Sequence, residues 1–530
     1  MGMMISIRIF FAGVCLLFIT LLTACNMPVS GRYPDSLSKD ELHQTISAQL
    51  QFTSIPGPSE PDAFSTQAAK TAVSAAASTV TPINGEKTTP PAQNTGDPGD
   101  TYTYLARSGD TLEALANRFN VAPKQISSPD PIPPQILIPA GQQLEIPIAF
   151  SSQLPADLLL PDSEVINSPS AVGFDIQAYI NDSGGFLKSY EEIVDGQMVS
   201  AAQIIERVSE EASASPRFLL AFLEYRSGWV TQQTVDPKSI NYPIGFRVPG
   251  YKGLYLELVL TGTHLNAGYY GWRSALKTSL KFPDGSTARM SPTINAGTAG
   301  VQNLFSKFYS KSRWFDVLYS EGSFIETFIT MFGDPWERAA MEEPIFPAGL
   351  SQPFLELPFS PGEYWSLTGG PHYSWNTGSP RGALDFAPVT GEPACAVSRA
   401  WVTASAPGTI VRSAYNVVVI DLDGDGHEQT GWTILYLHIA DDERISTGSH
   451  VEVDTLIGHP SCERGRNTGT HVHIARKYNG EWLFADERLP YIPSGWTVEV
   501  DERNCQGTLV KDGQIVSASP VGNSTSTIMR

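Results

Sequence analysis

Asn467-Thr468-Gly469-Thr470-His471-Val472-His473-Ile474-Ala475-Arg476-Lys477-Tyr478 is the run on which the fold reading turns. Val472, Ile474, Ala475 and Tyr478 mark a short strand. Successive side chains on a strand alternate faces, so His471 and His473 point the same way. Two imidazoles on one pleated face can share a metal cleft, one as ligand and one as proton carrier. A lone His-x-His can equally decorate an exposed strand. Residues upstream decide between the two.

After Pro344 the composition turns to strands, glycines and turns. Here lie Trp365-Ser-Leu-Thr-Gly-Gly-Pro-His372 and Gly378-Ser-Pro-Arg-Gly-Ala-Leu-Asp-Phe-Ala-Pro388. A strand at Asn416 to Ile420, an acidic turn and the return strand Trp432 to Ala440 follow. Zinc in hydrolases takes three protein ligands and keeps one position open for water. His372, Asp385 and His473 can supply a nitrogen, an oxygen anion and a second nitrogen. Asp385 stands between Leu384 and Phe386, so its carboxylate points away from two apolar side chains and needs a partner. His438, between Leu437 and Ile439, and His471 would then flank the metal-bound water.

With these residues, 345–500 resembles the lysostaphin/LytM family of zinc endopeptidases that cut peptidoglycan cross-links, and most closely its LasA-type branch. Many members place the first ligand four residues before the aspartate. That position is Arg381 here, and Gly370-Pro371-His372 fits the LasA-like Gly-x-His loop instead. His471-Val472-His473 matches the family's His-x-His, with His473 the ligand, and Tyr436-Leu437-His438 matches its Tyr-x-His strand. The resemblance implies an antiparallel all-β metallopeptidase domain with one Zn2+ per chain, held by His372, Asp385 and His473. It makes His438 and His471 the catalytic pair, with His471 expected as general base and His438 stabilising the oxyanion or sharing proton transfer.

The chain of 530 residues is too long for one compact domain. Its net charge of −20 disfavours nucleic-acid binding, and a monomer is expected. Residues 1–25 read as a targeting segment: Arg8, the apolar run Ile9 to Leu22, then Leu22-Thr23-Ala24-Cys25. The last four residues resemble a bacterial lipobox, which implies lipidation of Cys25, a membrane anchor and an extracytoplasmic chain. An uncleaved anchor or a plain secretory signal are the alternatives. Residues 26–100 are rich in Ser, Thr, Pro and Ala and read as a disordered linker. Residues 101–148 resemble a βααβ LysM module, which implies binding of N-acetylglucosamine-containing glycan. Residues 501–530 are expected as a C-terminal tail.

Between these, 165–340 shows helical apolar spacing at Ile204, Ile205, Val208 and again at Leu219, Leu220, Phe222, Leu223. Glu224, before Ser227-Gly-Trp229, resembles the glutamate of the lysozyme and lytic-transglycosylase superfamily. That makes Glu224 a candidate glycan acid, or else a buried helix-end glutamate paired with Arg226 or Arg273. Cys462 with Cys505 is the expected disulfide, leaving Cys395 free. Asp421, Asp423 and Asp425 open like a calcium loop, but position 432 is Trp432 where the closing carboxylate belongs. A polar hairpin turn is expected there, with a weak calcium site as the alternative. The sequence therefore supports a LysM-targeted zinc endopeptidase of peptidoglycan. Its alternatives are a noncatalytic wall-binding or regulatory protein and a bifunctional enzyme that also cuts glycan. Whether the middle domain covers the cleft at rest is a further expectation.

Overall fold

The computed structural model describes residues 101–134, 136–147, 149, 154–463, 469–486 and 488–530. The expected signal segment with Cys25 and the linker over 26–100 lie outside them.

At the N-terminal end β1 (Thr101–Leu105) pairs antiparallel with β2 (Gln143–Pro147). Between them α1 (Leu112–Phe119) starts where the Thr111 side chain accepts from the Ala114 amide, and ends at Asn120 in the left-handed region. Leu115, Ala116 and Phe119 bury one helix face against Tyr104, Leu144 and Ile146. The second helix expected here is a single 3-10 turn, Pro123–Gln125. Pro129, Pro131, Pro133 and Pro134 follow, and each lacks the amide donor that a helix needs.

The middle of the chain is helical, as its apolar spacing predicts. Ser200 and Gln203 form a capping box for α2 (Ala201–Ala212), and Pro216 occupies the first turn of α3 (Pro216–Ser227) behind the Ser215 cap. The long α4 (Leu254–Arg273) lies against α5 (Ala296–Phe305). Gly268 permits that approach: a Cβ there would stand 2.6 Å from the Ala299 carbonyl oxygen.

The C-terminal part is built on nine antiparallel strands. They are β3 (Tyr364–Tyr373), β4 (Arg381–Pro388), β5 (Gly408–Ala414), β6 (Val417–Asp421), β7 (Trp432–Leu437), β8 (His450–Val451), β9 (Val472–Tyr478), β10 (Glu481–Trp482) and, at the end of the chain, Thr527–Met529. The order is β8-β5-β6-β7-β9-β4-β3 and then Thr527–Met529, with β10 on β9. Strand alternation divides the side chains between two cores. Val418, Ile420, Ile434, Tyr436, Val472 and Ile474 enter one. Ala383, Val417, Val419, Leu435, Leu437 and Ala475 enter the other, which they share with α2 to α5. His473 is in register with Leu437 and Asp385, so the histidine site and the helical region occupy the same face of the sheet.

That junction is polar at its centre. Arg273 of α4 donates to both carboxylate oxygens of Glu481 at 3.0 Å and to Asp162 at 3.0 Å, all buried. The Tyr269 hydroxyl donates to Glu481 at 2.7 Å. Removing one partner of such a network leaves an unpaired buried charge. Arg273→Ala is therefore expected to lower unfolding stability by about 3–5 kcal/mol, read from the urea midpoint.

Two expectations are corrected. Residues 501–530 are not a tail. Within them lie Gly507–Lys511 and Gln514–Ser517, which with Thr497–Val500 make a small sheet, while Thr527–Met529 closes against β3. Leu509, Val516 and Ile528 are the buried alternate positions that drive this. Among the described residues a disulfide joins Cys395 to Cys462, Cα atoms 4.9 Å apart, and Cys462 is not paired with Cys505. The Ser398 amide donates to the Pro460 carbonyl and draws the two cysteines together, whereas the Cys505 backbone is committed to Gly370 and Pro371.

Candidate metal centre

Asp385 sits in mid-strand on β4, opposite His473 on β9 and beside β3. Leu384 and Phe386 go to the far core, so the carboxylate faces the histidine side. His372 reaches the same point because β3 is irregular. Gly369 pairs with Asp385 and His372 with Ala383, and the bulge between them swings the imidazole inward. Gly369 is required beside the aspartate, since a Cβ would fall 2.7 Å from Asp385 Oδ2.

His372 Nε2 lies 3.2 Å from Asp385 Oδ1, His473 Nδ1 lies 3.3 Å from it, and the two nitrogens are 3.0 Å apart. His372 Nδ1 is 2.9 Å from the Gly370 carbonyl oxygen and His473 Nε2 is 3.0 Å from that of Ser374. Those carbonyls accept hydrogen bonds from ring N–H groups, so each neutral ring turns its bare nitrogen to the carboxylate. Two lone pairs and a carboxylate oxygen converging at these distances form the donor set of a cation, and the carbonyls are its orienting outer shell. The residues present fit a zinc ion.

The two remaining imidazoles close the site. His471 Nδ1 is 2.8 Å from the Gly469 carbonyl oxygen, and its Nε2 stands 3.8 Å from Asp385 Oδ1. His438 lies beside it with the rings tilted, centroids 4.7 Å apart, and with Nδ1 3.2 Å from the Glu463 carbonyl oxygen. His438 was expected inside a strand. The strand ends at Leu437, and His438 takes a left-handed backbone with φ of 68°. Non-glycine residues seldom adopt that conformation, and such strain gathers at functional sites.

Burial and the neighbouring imidazoles of His471 and His473 hold His438 well below the usual histidine range. Burial likewise lowers His473. At His372 burial pulls down, but the Asp385 carboxylate outweighs it and the imidazole lies above its ordinary value. Burial would raise Asp385, and the adjacent His372 and His471 reverse that, holding the carboxyl well below its usual range. Asp385 is thus held as an anion among the rings, a charge that a bound cation would balance.

Other candidates stand apart from this cluster. Arg381, at the position of the usual family ligand, donates to the Asp501 carbonyl at 2.8 Å. The Glu224 carboxylate accepts from the Val230 and Thr231 amides at 3.0 and 3.1 Å and from the Thr231 hydroxyl at 2.6 Å, so it caps the turn after α3. The alternative pairing of Glu224 with Arg226 or Arg273 is not formed: Arg226 donates to the Ile244 carbonyl, and Arg273 is held by Glu481 and Asp162. Asp421 is buried, and its carboxylate accepts from the Asp423, Gly424 and Gly426 amides, as a hairpin turn requires. Sequence reasoning missed Gly369, the carbonyls of Gly370, Ser374, Glu463 and Gly469, and Thr470. The first leaves a Gly-Gly signal; the carbonyls leave none, because every residue has one.

Residues 158–345 match the family model described as LasA, N-terminal domain. That match falls on the helical region and is slightly wider than the 165–340 expected from apolar spacing. Protease LasA of Pseudomonas aeruginosa strain UCBPP-PA14 is 25% identical over 358 residues, covering 63% of this chain and 78% of the relative. Protease LasA of strain PAO1 is 25% identical over 359 residues with the same coverage. Among solved structures, the deep-sea M23 metalloprotease pseudoalterin is 26% identical, covering 32% of this chain and 96% of its own, with a TM-score of 0.27. The lysostaphin catalytic domain of Staphylococcus simulans is 19% identical, covering 23% and 87%, with a TM-score of 0.17. The likeness to protease LasA supports a peptidase.

Proposed function

We propose that this chain is an extracytoplasmic zinc metalloendopeptidase that hydrolyses peptide bonds of peptidoglycan cross-links. The observation that carries the reading is the convergence of His372, Asp385 and His473 within 3.3 Å, flanked by two further buried imidazoles. A zinc ion held by those three would polarise the scissile carbonyl and lower the pKa of water. His471, with Nδ1–H donated to Gly469, offers Nε2 to accept a proton and return it to the leaving amine. His438, kept neutral, shares that transfer, and once protonated it donates toward an oxyanion. Buried ligands and the apolar side chains around them exclude bulk water.

In this reading residues 101–148 are a LysM module that brings the enzyme to glycan, supported by the antiparallel β1–β2 pair around α1. Lipidation at Cys25 tethers it to a membrane, a point resting on the lipobox-like sequence. Among the described residues no helix is long and apolar enough to cross a membrane. The helical domain holds the enzyme latent by lying on the face that carries the metal ligands.

Purified peptidoglycan incubated with the protein is expected to release new amino groups and no new reducing sugar, and a chelator is expected to stop the release. Reducing ends without amines would overturn the peptidase reading. On the latency, residues 345–530 are expected to outpace the full chain on the same substrate; equal rates reject it.

A further inference from the structure

We propose that the Cys395–Cys462 disulfide, together with Thr470, positions the two non-ligand histidines through a frame separate from the one that holds the ligands. The inference rests on the metallopeptidase reading above.

The ligand frame is one segment of chain. The Gly370 carbonyl takes His372 and the Ser374 carbonyl takes His473, at 2.9 and 3.0 Å. The cystine is not part of it. The non-ligand histidines hang on two other strips of backbone, and the disulfide joins those strips.

Cys462 lies between the residues that grip His438. On one side Glu463 offers the carbonyl for His438 Nδ1 at 3.2 Å. On the other, Ser461 donates to the His438 carbonyl twice, from its amide at 2.8 Å and from its hydroxyl at 3.0 Å. Asn416 braces the same turn, donating to the Ile439 carbonyl at 3.0 Å and to the Glu463 carboxylate at 2.6 Å. Cys395 begins the second strip. Its neighbour Ala396 offers the carbonyl to which Thr470 donates at 2.6 Å, and Thr470 immediately precedes His471. Ser461 also forms a β-bridge with His471.

The cystine thus stands where the supports of His438 and His471 meet. Without it the strip 461–463 and the strip 395–396 are joined only by hydrogen bonds such as that from the Ser398 amide to the Pro460 carbonyl, and the common placement of the two imidazoles loosens. His438 already carries a left-handed backbone, which persists only under restraint from its surroundings. Misplacing a reacting group by about 1 Å can cost about a hundredfold in rate. The ligand atoms keep their own anchors, so metal binding survives. These cysteines and Thr470 are positioning residues; none of the contacts above places them on a reacting atom.

The test compares the wild-type chain, a Cys395→Ala/Cys462→Ala double variant and a Thr470→Val variant whose disulfide is intact. Zinc content and KM are expected to stay within about twofold, while kcat falls by about tenfold or more in the double variant and by a smaller factor in Thr470→Val. Hydrogen exchange is the second readout. The Ser461 amide is expected to exchange about tenfold faster in the double variant, with the Gly370 and Ser374 amides unchanged. Unchanged kcat together with unchanged Ser461 exchange overturns the proposal, and so does loss of zinc in step with kcat. If the double variant fails to fold, Thr470→Val carries the comparison, and an unaltered kcat there overturns it. If the wild type cleaves no amide bond, the peptidase reading falls, and the exchange pattern still decides whether the cystine restrains one frame and spares the other.

Discussion

An Asp385→Ala protein is expected to lose its metal and fall to background hydrolysis. Asp385 is the one anion among the three converging side chains, and its Oδ1 is the point on which both ligand nitrogens are centred. Two neutral imidazoles remain after the substitution. Losing a mere supporting hydrogen bond in such a centre costs about 10–100-fold in affinity, and loss of the charged ligand exceeds that. The carboxylate is buried. Metal analysis after dialysis, with amine release from peptidoglycan, checks both halves. A variant that retains stoichiometric zinc and wild-type turnover would refute the ligand assignment.

His471→Ala is expected to behave in the opposite way on metal. The His471 ring is oriented by Gly469, with its Nε2 3.8 Å from Asp385 Oδ1 and outside the triad. Zinc content should therefore match the wild type. General acid–base groups contribute about 10²–10⁴-fold, and kcat is expected to drop within that range while KM changes little. Loss of zinc in this variant would move His471 into the ligand set.

Much of this centre was legible in the sequence, for reasons that can be named. His471 and His473 were legible because strand alternation is a property of the backbone, independent of neighbours. Asp385 was legible because a carboxylate between Leu384 and Phe386 must face away from a core. His372 needed the resemblance to a family, since nothing local says that Gly370 and Pro371 bulge out of β3. The left-handed turn at His438 was not legible: its apolar neighbours read as strand, and the restraint comes from Asn416, Ser461 and Glu463, which are distant in sequence. The disulfide was misread because pairing depends on which loops meet, and the meeting of Ser398 with Pro460 is set by tertiary contacts. The terminal residues read as a tail because their strands are short, and the last of them, Thr527–Met529, finds its partner in β3, more than a hundred positions earlier.

Val417, Val419, Leu435, Leu437 and Ala475 lie under the helices on the side of the sheet that carries His372, Asp385 and His473. Stripped of those helices, a fragment starting near residue 345 would present a greasy plateau beside the histidine cluster. Such a fragment would cling to glass and phenyl resin and cluster with its own kind at high concentration, unless a detergent or a bulky polymer took the vacated seat. Handling of the excised piece, then, is governed by wetting as much as by chemistry.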